Sequence, residues 1–364
     1  MSTDEKVDEI LALVRLDEAE RSEHRSWRPV DLAAVLDGTY SAPRPTVGRR
    51  DDGAGLFYPA KVHTVASETE AGKSWFALST AVDEMRAGNH VLYIDFEDNE
   101  GGIVSRLLAL QVTADVIRER FHYLAPADPL GTGANLGDLQ EIVDELAPTL
   151  AVVDGITEAM VLHGLNPLDN KEVAAFGRIL PRRIAALGPA ALGPAVVCND
   201  HVTKDREGRG RYAIGAAHKL NGLDGAAYVL DNRTPFGIGL TGRSTIRIAK
   251  DRPGQLRRRG LPSAGGMHWY GDLVLDSHDE GFAEVSIVAP TERSEDFRPT
   301  VLMERIAKAL EQHGPLSARK VETVVTGKAT NIRQALTFLQ LDGHVSDSTP
   351  HELLKPYPPT GFST

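Results

Sequence analysis

Two rhythms of apolar and polar positions run along this chain. Residues 61–66, 90–96, 150–153 and 195–198 are short runs rich in Val, Leu, Ile and Ala. They are too brief for buried helices and too evenly apolar for surface strands, so they read as strands covered on both faces. Between them, residues 73–87, 138–146 and 170–187 carry apolar side chains at helical spacing. Strand and helix alternating in this way predict βαβ units and a mainly parallel sheet. Beyond residue 225 the helical rhythm stops. Residues 226–230, 245–250, 255–258 and 284–288 read as short strands, an antiparallel extension of the sheet.

The flanks show other patterns. Val7, Ile10, Leu11 and Val14 place an acidic helix over 2–23, and Pro29, Pro43, Pro45 and Gly48 to Gly53 punctuate the stretch up to the first strand. Residues 291–298 are polar and read as a linker. Residues 299–345 read as helix, short helix, helix, and 346–360 are Pro-rich. The expected fold class is α/β: a mainly parallel sheet with an antiparallel extension, an N-terminal helical segment and a small C-terminal domain. The divisions are 1–50, a core over 51–290, a linker over 291–298 and a module over 299–356.

Composition narrows the class. With 41% apolar residues in 364, the chain can bury a sizeable core. No apolar stretch approaches the ~18 residues of a membrane span. The acidic start, Met1 to Glu9, has no apolar segment behind it, so a cytoplasmic protein without a secretory leader is expected. A single cysteine, Cys198, excludes an intramolecular disulfide and reads as a small buried apolar residue. Net charge is -11, from 40 basic and 51 acidic residues. That argues against coating nucleic acid with the whole surface and leaves room for local basic patches.

The candidate chemistry begins at Ser67-Glu68-Thr69-Glu70-Ala71-Gly72-Lys73-Ser74, which succeeds a strand and opens a helix that continues with Trp75. Backbone N–H groups and a helix N-terminus facing one anion make a phosphate loop. Lys73 would reach the β- and γ-phosphates of ATP, and the Ser74 hydroxyl would coordinate Mg²⁺. Ser67 stands where the pattern has glycine. The run 150–153 ends in Asp154, a second candidate Mg²⁺ ligand. The run 90–96 leads into Glu97, expected at the tip of the strand beside the loop, where a carboxylate can orient water and take its proton. Glu158 is the other candidate base. His201 closes the run 195–198 through Asn199 and Asp200, near the γ-phosphate. Two basic groupings remain: Lys204, Arg206, Arg209 and Arg211 in a Gly-containing loop that could touch DNA phosphates or another subunit, and Lys250 with Arg252, expected to project two apart from one side of a strand.

In the C-terminal module, Leu302, Ile306 and Leu310 form one stripe, Ser317 can cap the second helix, and Ile332, Leu336 and Leu339 face inward on the third. This reads as a winged helix. Lys328, Thr330, Asn331, Arg333 and Gln334 then fall on the exposed start of a recognition helix, with residue types that contact phosphates and base edges. Docking to protein is the alternative use of such a module.

Taken together, Gly72-Lys73-Ser74, Tyr93-Ile94-Asp95-Phe96-Glu97, Asp154-Gly155-Ile156-Thr157-Glu158 and Lys250-Asp251-Arg252-Pro253-Gly254 resemble the RecA-like P-loop ATPases over about residues 55–260. The branch is that of the hexameric replicative helicases, and more closely an AAA-type group that includes small plasmid helicases, to which the lead-in from Trp27 to Leu32 is also similar. The resemblance implies a RecA-like core, Glu97 as base, and Lys250 and Arg252 reaching a neighbour's γ-phosphate. It further implies a hexamer-like ring and single-stranded DNA as partner. An ATP-dependent assembly switch without DNA translocation is the alternative.

Overall fold

The computed structural model describes residues 27, 29–131, 134–187, 193–201, 222–291, 300–327 and 329–357. The helix expected over 2–23, and all but the first residue of the linker expected over 291–298, lie outside the described residues.

The chain divides into two units, 1–290 and 291–364. In the first, a one-turn helix α1 (Ala33–Leu36) and an antiparallel hairpin, β1 (Val47–Arg49) with β2 (Gly55–Phe57), precede the sheet. The core runs through β3 (Val62–Ser67), α2 (Lys73–Arg86), β4 (Val91–Asp95), α3 (Glu100–Ala109), α4 (Ala114–Arg120) and β5 (Phe121–Leu124). Next come α5 (Ala134–Leu146), β6 (Leu150–Asp154), α6 (Ile156–Leu162), α7 (Asn170–Ile179), α8 (Pro181–Ala186) and β7 (Ala195–His201). The helical stretch at 170–187 is two helices, because Pro181 supplies no N–H to α7 and starts α8 instead.

Ten strands form one sheet in the order β10-β11-β9-β8-β3-β7-β6-β4-β5, with β12 added to β11. The newcomers are β8 (Ala226–Thr234), β9 (Thr241–Asp251), β10 (Leu261–Ser263), β11 (Met267–Ser277) and β12 (Ala283–Val288). Strands β8, β3, β7, β6, β4 and β5 run parallel. Every residue of β4 and β6 is buried because both faces are covered. On β4, Val91 and Tyr93 pack into the cluster around Phe76 and Leu78 of α2. Leu92 and Ile94 pack into the opposite cluster, with Ile156 and Phe176. Cys198 lies buried in that second cluster.

Three expectations change. The strand at 226 is parallel to β3, and the antiparallel extension starts only at β9. Residues 255–258 are no strand: Arg257–Arg259 form a 3₁₀ turn, because the buried Asp251 carboxylate gathers the N–H groups of Gly254, Leu256 and Arg257 into a tight bend. Strand β4 does not neighbour β3; β7 and β6 lie between them, so Glu97 reaches the loop across the carboxyl edge of the sheet. The eleven-residue β11 escapes the periodicity because its register shifts between Trp269 and Gly271, which breaks the alternation.

The second unit holds α9 (Thr300–His313), α10 (Ala318–Val324) and α11 (Ala329–Leu341) around Met303, Ile306, Leu310, Val321, Ile332 and Leu339. Ser317 caps α10 by accepting the Lys320 N–H at 3.4 Å. Antiparallel bridges join Leu316 to His351 and Val345 to Leu353. Among the described residues no helix is long and apolar enough to cross a membrane.

Asp251 also accepts the Tyr58 hydroxyl at 2.8 Å, which ties the segment after the hairpin to the end of β9. Replacing a buried carboxylate that satisfies several donors should cost about 3 kcal/mol. We expect Asp251→Ala to lower the urea midpoint accordingly at unchanged m-value; an unshifted midpoint would contradict this account of the turn.

Candidate nucleotide site

The loop between β3 and α2 lies at the carboxyl edge of the parallel strands. The sequence places the departure from the glycine pattern at Ser67, yet Ser67 ends β3 in extended conformation. The left-handed residues are Glu70 (φ 62°) and Gly72 (φ 89°). The backbone reversal that favours glycine therefore falls on Gly72, and Ser67 instead donates its hydroxyl to Glu68 O at 2.6 Å. The loop is pinned from the neighbouring strands. Asn232 Nδ2 of β8 donates to Glu70 O at 3.1 Å, and Ser244 Oγ of β9 donates to Ala71 O at 2.8 Å.

Lys73 and Ser74 open α2 and point to different partners. Ser74 Oγ donates to Asp154 Oδ2 at 3.0 Å. Asp154 is buried and is also held by the Tyr93 hydroxyl and by Asn199 Nδ2 at 2.9 Å. Asn199 Oδ1 is buried beside it with no hydrogen-bond partner among the described residues. Burial and the Asp154 charge push the Tyr93 phenol far up, so it stays a donor. Hard oxygen donors, with an orphaned amide oxygen next to them, fit Mg²⁺. Among the described residues no cluster of three or more His, Cys, Asp or Glu could hold a metal without help. A metal held by Ser74 and Asp154 would therefore depend on phosphate oxygens, and it would supply charge neutralisation there.

Lys73 Nζ lies 3.2 Å from His201 Nδ1 and donates to Glu68 O at 3.4 Å. His201 Nε2 lies 3.2 Å from Glu97 Oε1. Burial lowers the Lys73 pKa, against the pull of Glu97 and Asp154. Burial and the Lys73 ammonium lower that of His201. A neutral His201 that accepts from Lys73 at Nδ1 and donates to Glu97 from Nε2 satisfies all three groups. Glu97 lies in the bend after β4, where Asp95 Oδ1 accepts the N–H groups of Glu97 and Asp98. Asp95 thus shapes the bend and does not share a strand face with Glu97. Burial, then the neighbouring Glu158 carboxyl, pushes the Glu97 carboxyl up to about 8.

Lys73, Ser74, Glu97 and His201 line a cavity of about 590 Å³. Thr69, Glu70, Gly72 and Trp75 also line it, whereas Ser67, Glu68 and Ala71 of the expected loop do not. Its far walls were not legible in the sequence. Arg106 of α3 sits 5.9 Å over the Trp75 ring and pairs with Asp98 at 3.1 Å. Phe236 and Ile238 come from the β8–β9 turn, and Ser277 and Asp279 from the end of β11. A Cβ at Gly72 would meet Phe236 Cζ at 2.8 Å, so that ring closes over the loop. No motif marks these positions, because the turn between two distant strands brings them in.

The remaining candidates lie elsewhere. Along the sheet register Ser67 aligns with Leu230 and Ile246, whereas Lys250 aligns with Ala227 and Thr64. Lys250 is thus level with Thr64, three residues or about 10 Å down the strand from Ser67, away from the phosphate loop. Lys250 and Arg252 do not project as a pair: β9 ends at Asp251, and Lys250 Nζ donates to Leu223 O at 2.9 Å, while Arg252 is exposed beyond it. Neither joins this chain's own site. Arg243 pairs with Asp272 and Arg247 with Asp231, each at 2.7 Å, so two of the three basic residues of β9 have an acidic partner. Lys204, Arg206, Arg209, Arg211 and Lys328 lie outside the described residues. Asn331 and Arg333 stand on α11, where Arg333 pairs with Glu322 at 2.5 Å.

Residues 27–207 match the family model described as AAA domain. That stretch spans the phosphate loop, Glu97, Asp154 and His201, and is similar there to AAA-type, P-loop ATPase-like domains. A comparison with curated proteins returns no match.

Gly155 separates Asp154 from α6 with φ 87° and ψ 58°, and a Cβ there would lie 2.6 Å from Glu97 Cγ. We expect Gly155→Ala to push the Glu97 side chain aside. Turnover should drop at least about tenfold, since displacing a reacting group by ~1 Å can cost 10²-fold. Nucleotide affinity should hardly move. Unchanged turnover in the folded variant would show that Glu97 does not need this space.

Proposed function

We propose that the protein is a Mg-ATP-dependent ATPase that works on DNA in a ring of its own copies, in the manner of a replicative helicase. The observation that carries the nucleotide reading is the pairing of Ser74, which lines the cavity, with buried Asp154, with Lys73, His201 and Glu97 joined in one chain beside it. On this reading the triphosphate lies on residues 67–74. The nucleoside extends towards Trp75, Arg106 and the turn at Phe236 and Ile238. Lys73 neutralises the β- and γ-phosphates, and Glu97 takes the proton of the attacking water. His201 senses the γ-phosphate through its two partners. Trp75, next to the loop, would report binding by fluorescence.

What supports the ring is the place of Arg252. It is exposed and at the opposite end of β9 from the loop of its own chain, so any work on a γ-phosphate must be done in a neighbour. Fingers of this kind are worth roughly 10³–10⁵ in rate. Lys250, bonded to Leu223, would brace that turn. One observation favours a second reading: the pairing of Arg333 with Glu322 removes a cation from the candidate DNA face of α11. In that reading the C-terminal module, a winged-helix-like unit, docks protein, and ATP drives assembly without translocation.

Lys73→Ala should abolish turnover in a folded protein, and Glu97→Gln should keep ATP binding while losing roughly 10²–10⁴-fold in turnover. Normal hydrolysis by Lys73→Ala would dismiss the site as described. Single-stranded DNA should stimulate the wild type; ATP-dependent assembly with no stimulation would favour the switch.

Arg252→Ala should bind ATP but be inactive alone. Mixing it with Lys73→Ala should restore part of the activity, because mixed assemblies contain a site with Lys73 from one chain and Arg252 from another. Light scattering checks the assembly. A fully active Arg252→Ala would remove the ring.

A further inference from the structure

Two planar side chains face each other across the cavity beside the phosphate loop. Trp75 follows Ser74 directly in the first turn of α2, so a ligand held by residues 67–74 brings its next part to that ring. The Arg106 guanidinium of α3 stands over the indole, with Cζ 5.9 Å from the ring centroid. That separation is wider than one close contact and narrower than the roughly 7 Å that a flat group lying between the two would take, at about 3.5 Å on each side. Admitting such a group opens the pair by about 1 Å. Trp75 packs against the core, whereas Arg106 is held at its tip by Asp98 at 3.1 Å and its side chain is 34% exposed, so the guanidinium is the wall that gives way. Gly102, Ser105 and Ala109 share the cavity side of α3 with Arg106 and leave room beside it.

Among the described residues at this end of the cavity, the polar side chains that could read the edge of a base are engaged with backbone. Ser105 Oγ donates to Gly101 O at 2.6 Å. Ser277 Oγ accepts the Gly239 N–H at 3.2 Å and donates to Asp279 O at 3.3 Å. Asp279 Oδ1 accepts the Gly281 N–H at 2.7 Å. Glu280 is exposed, and its carboxylate is an acceptor that the amino groups of adenine and guanine satisfy equally.

We propose that Trp75 and Arg106 form a slot that grips the nucleobase of a nucleoside triphosphate by its two faces, so that the site binds ATP and GTP alike. This rests on the nucleotide reading of the cavity. Every base has a π-face, so recognition by stacking tolerates a change of base, and the guanidinium adds its attraction for a ring. Adenine and guanine differ at the C6 and C2 substituents, which lie on the edge that the slot leaves unread.

Calorimetric titration of the full chain with Mg-ATP, Mg-GTP and Mg-tripolyphosphate tests this, because tripolyphosphate has the phosphates without a base. ATP and GTP should bind within about threefold of each other, and tripolyphosphate at least about fivefold more weakly, the lower end of what one stacked base contributes. ATP and GTP should quench tryptophan fluorescence and tripolyphosphate should not. The quench should vanish in Trp75→Phe, which keeps Trp27 and Trp269. Arg106→Lys keeps the charge and loses the flat face, so it should shrink the ratio of ATP to tripolyphosphate affinity, whereas damage to the fold or to the phosphate loop would weaken both ligands together. Tripolyphosphate binding as tightly as ATP, or an unchanged ratio in Arg106→Lys, would leave the phosphate loop standing and overturn the slot. GTP binding more than about tenfold more weakly than ATP would show that the edge is read and overturn the tolerance of base. If the wild type binds neither ATP nor tripolyphosphate, the nucleotide reading itself has failed and the slot falls with it.

Discussion

The buried carboxylate of Asp154 is the constraint around which the first unit is organised. An ionised carboxylate removed from water must be met by donors or it costs several kcal/mol. Here the donors come from three other elements: Ser74 of α2, Tyr93 of β4 and Asn199 of β7. Satisfying one charge therefore sets the start of α2 against β6 and fixes the order of β4, β6 and β7 at their carboxyl ends. The positions of Lys73, Glu97 and His201 are consequences, because each is a few residues from a group that holds Asp154 or pairs beside it.

Charge around this centre is arranged as a chain rather than as a heap. Lys73 is buried among carboxylates, and burial favours its neutral form while those carboxylates favour its ammonium. His201 stands between Lys73 and Glu97 and satisfies both when neutral. Opposed forces of this kind leave groups whose protonation responds to what enters the site, which suits acid–base work near neutral pH. A triphosphate arriving at Lys73 would replace His201 as its partner and so be felt at Glu97.

The antiparallel extension does more than widen the sheet. Strands β8 and β9 pin the phosphate loop through Asn232 and Ser244, and the turn between them carries Phe236 over Gly72. The same strand β9 ends in the turn organised by Asp251, where Arg252 is exposed. One rigid element thus spans from the loop of its own chain to the residue proposed to act on a neighbour. A rigid link of that length gives a change at one site a physical route to the next.

By itself the sequence determined the alternation of buried strands and helices, the strand–loop–helix at 62–86 and the polar tips of β4, β6 and β7, because side-chain period and local backbone chemistry are encoded over a few residues. It also singled out Lys73, Ser74, Glu97, Asp154 and His201 as candidate positions, since each stands at or just past a strand end or opens a helix. It could not determine that Glu70 and Gly72 carry the backbone reversal and Ser67 does not, that β4 lies three places from β3, or that Asp95 serves the bend. Nor could it show that Lys250 is spent on Leu223, or that Arg106, Phe236 and Asp279 wall the cavity. Those facts depend on contacts between residues up to about two hundred positions apart, where register, burial and the need to satisfy each polar group decide the partner. Only the tertiary structure brings those partners together.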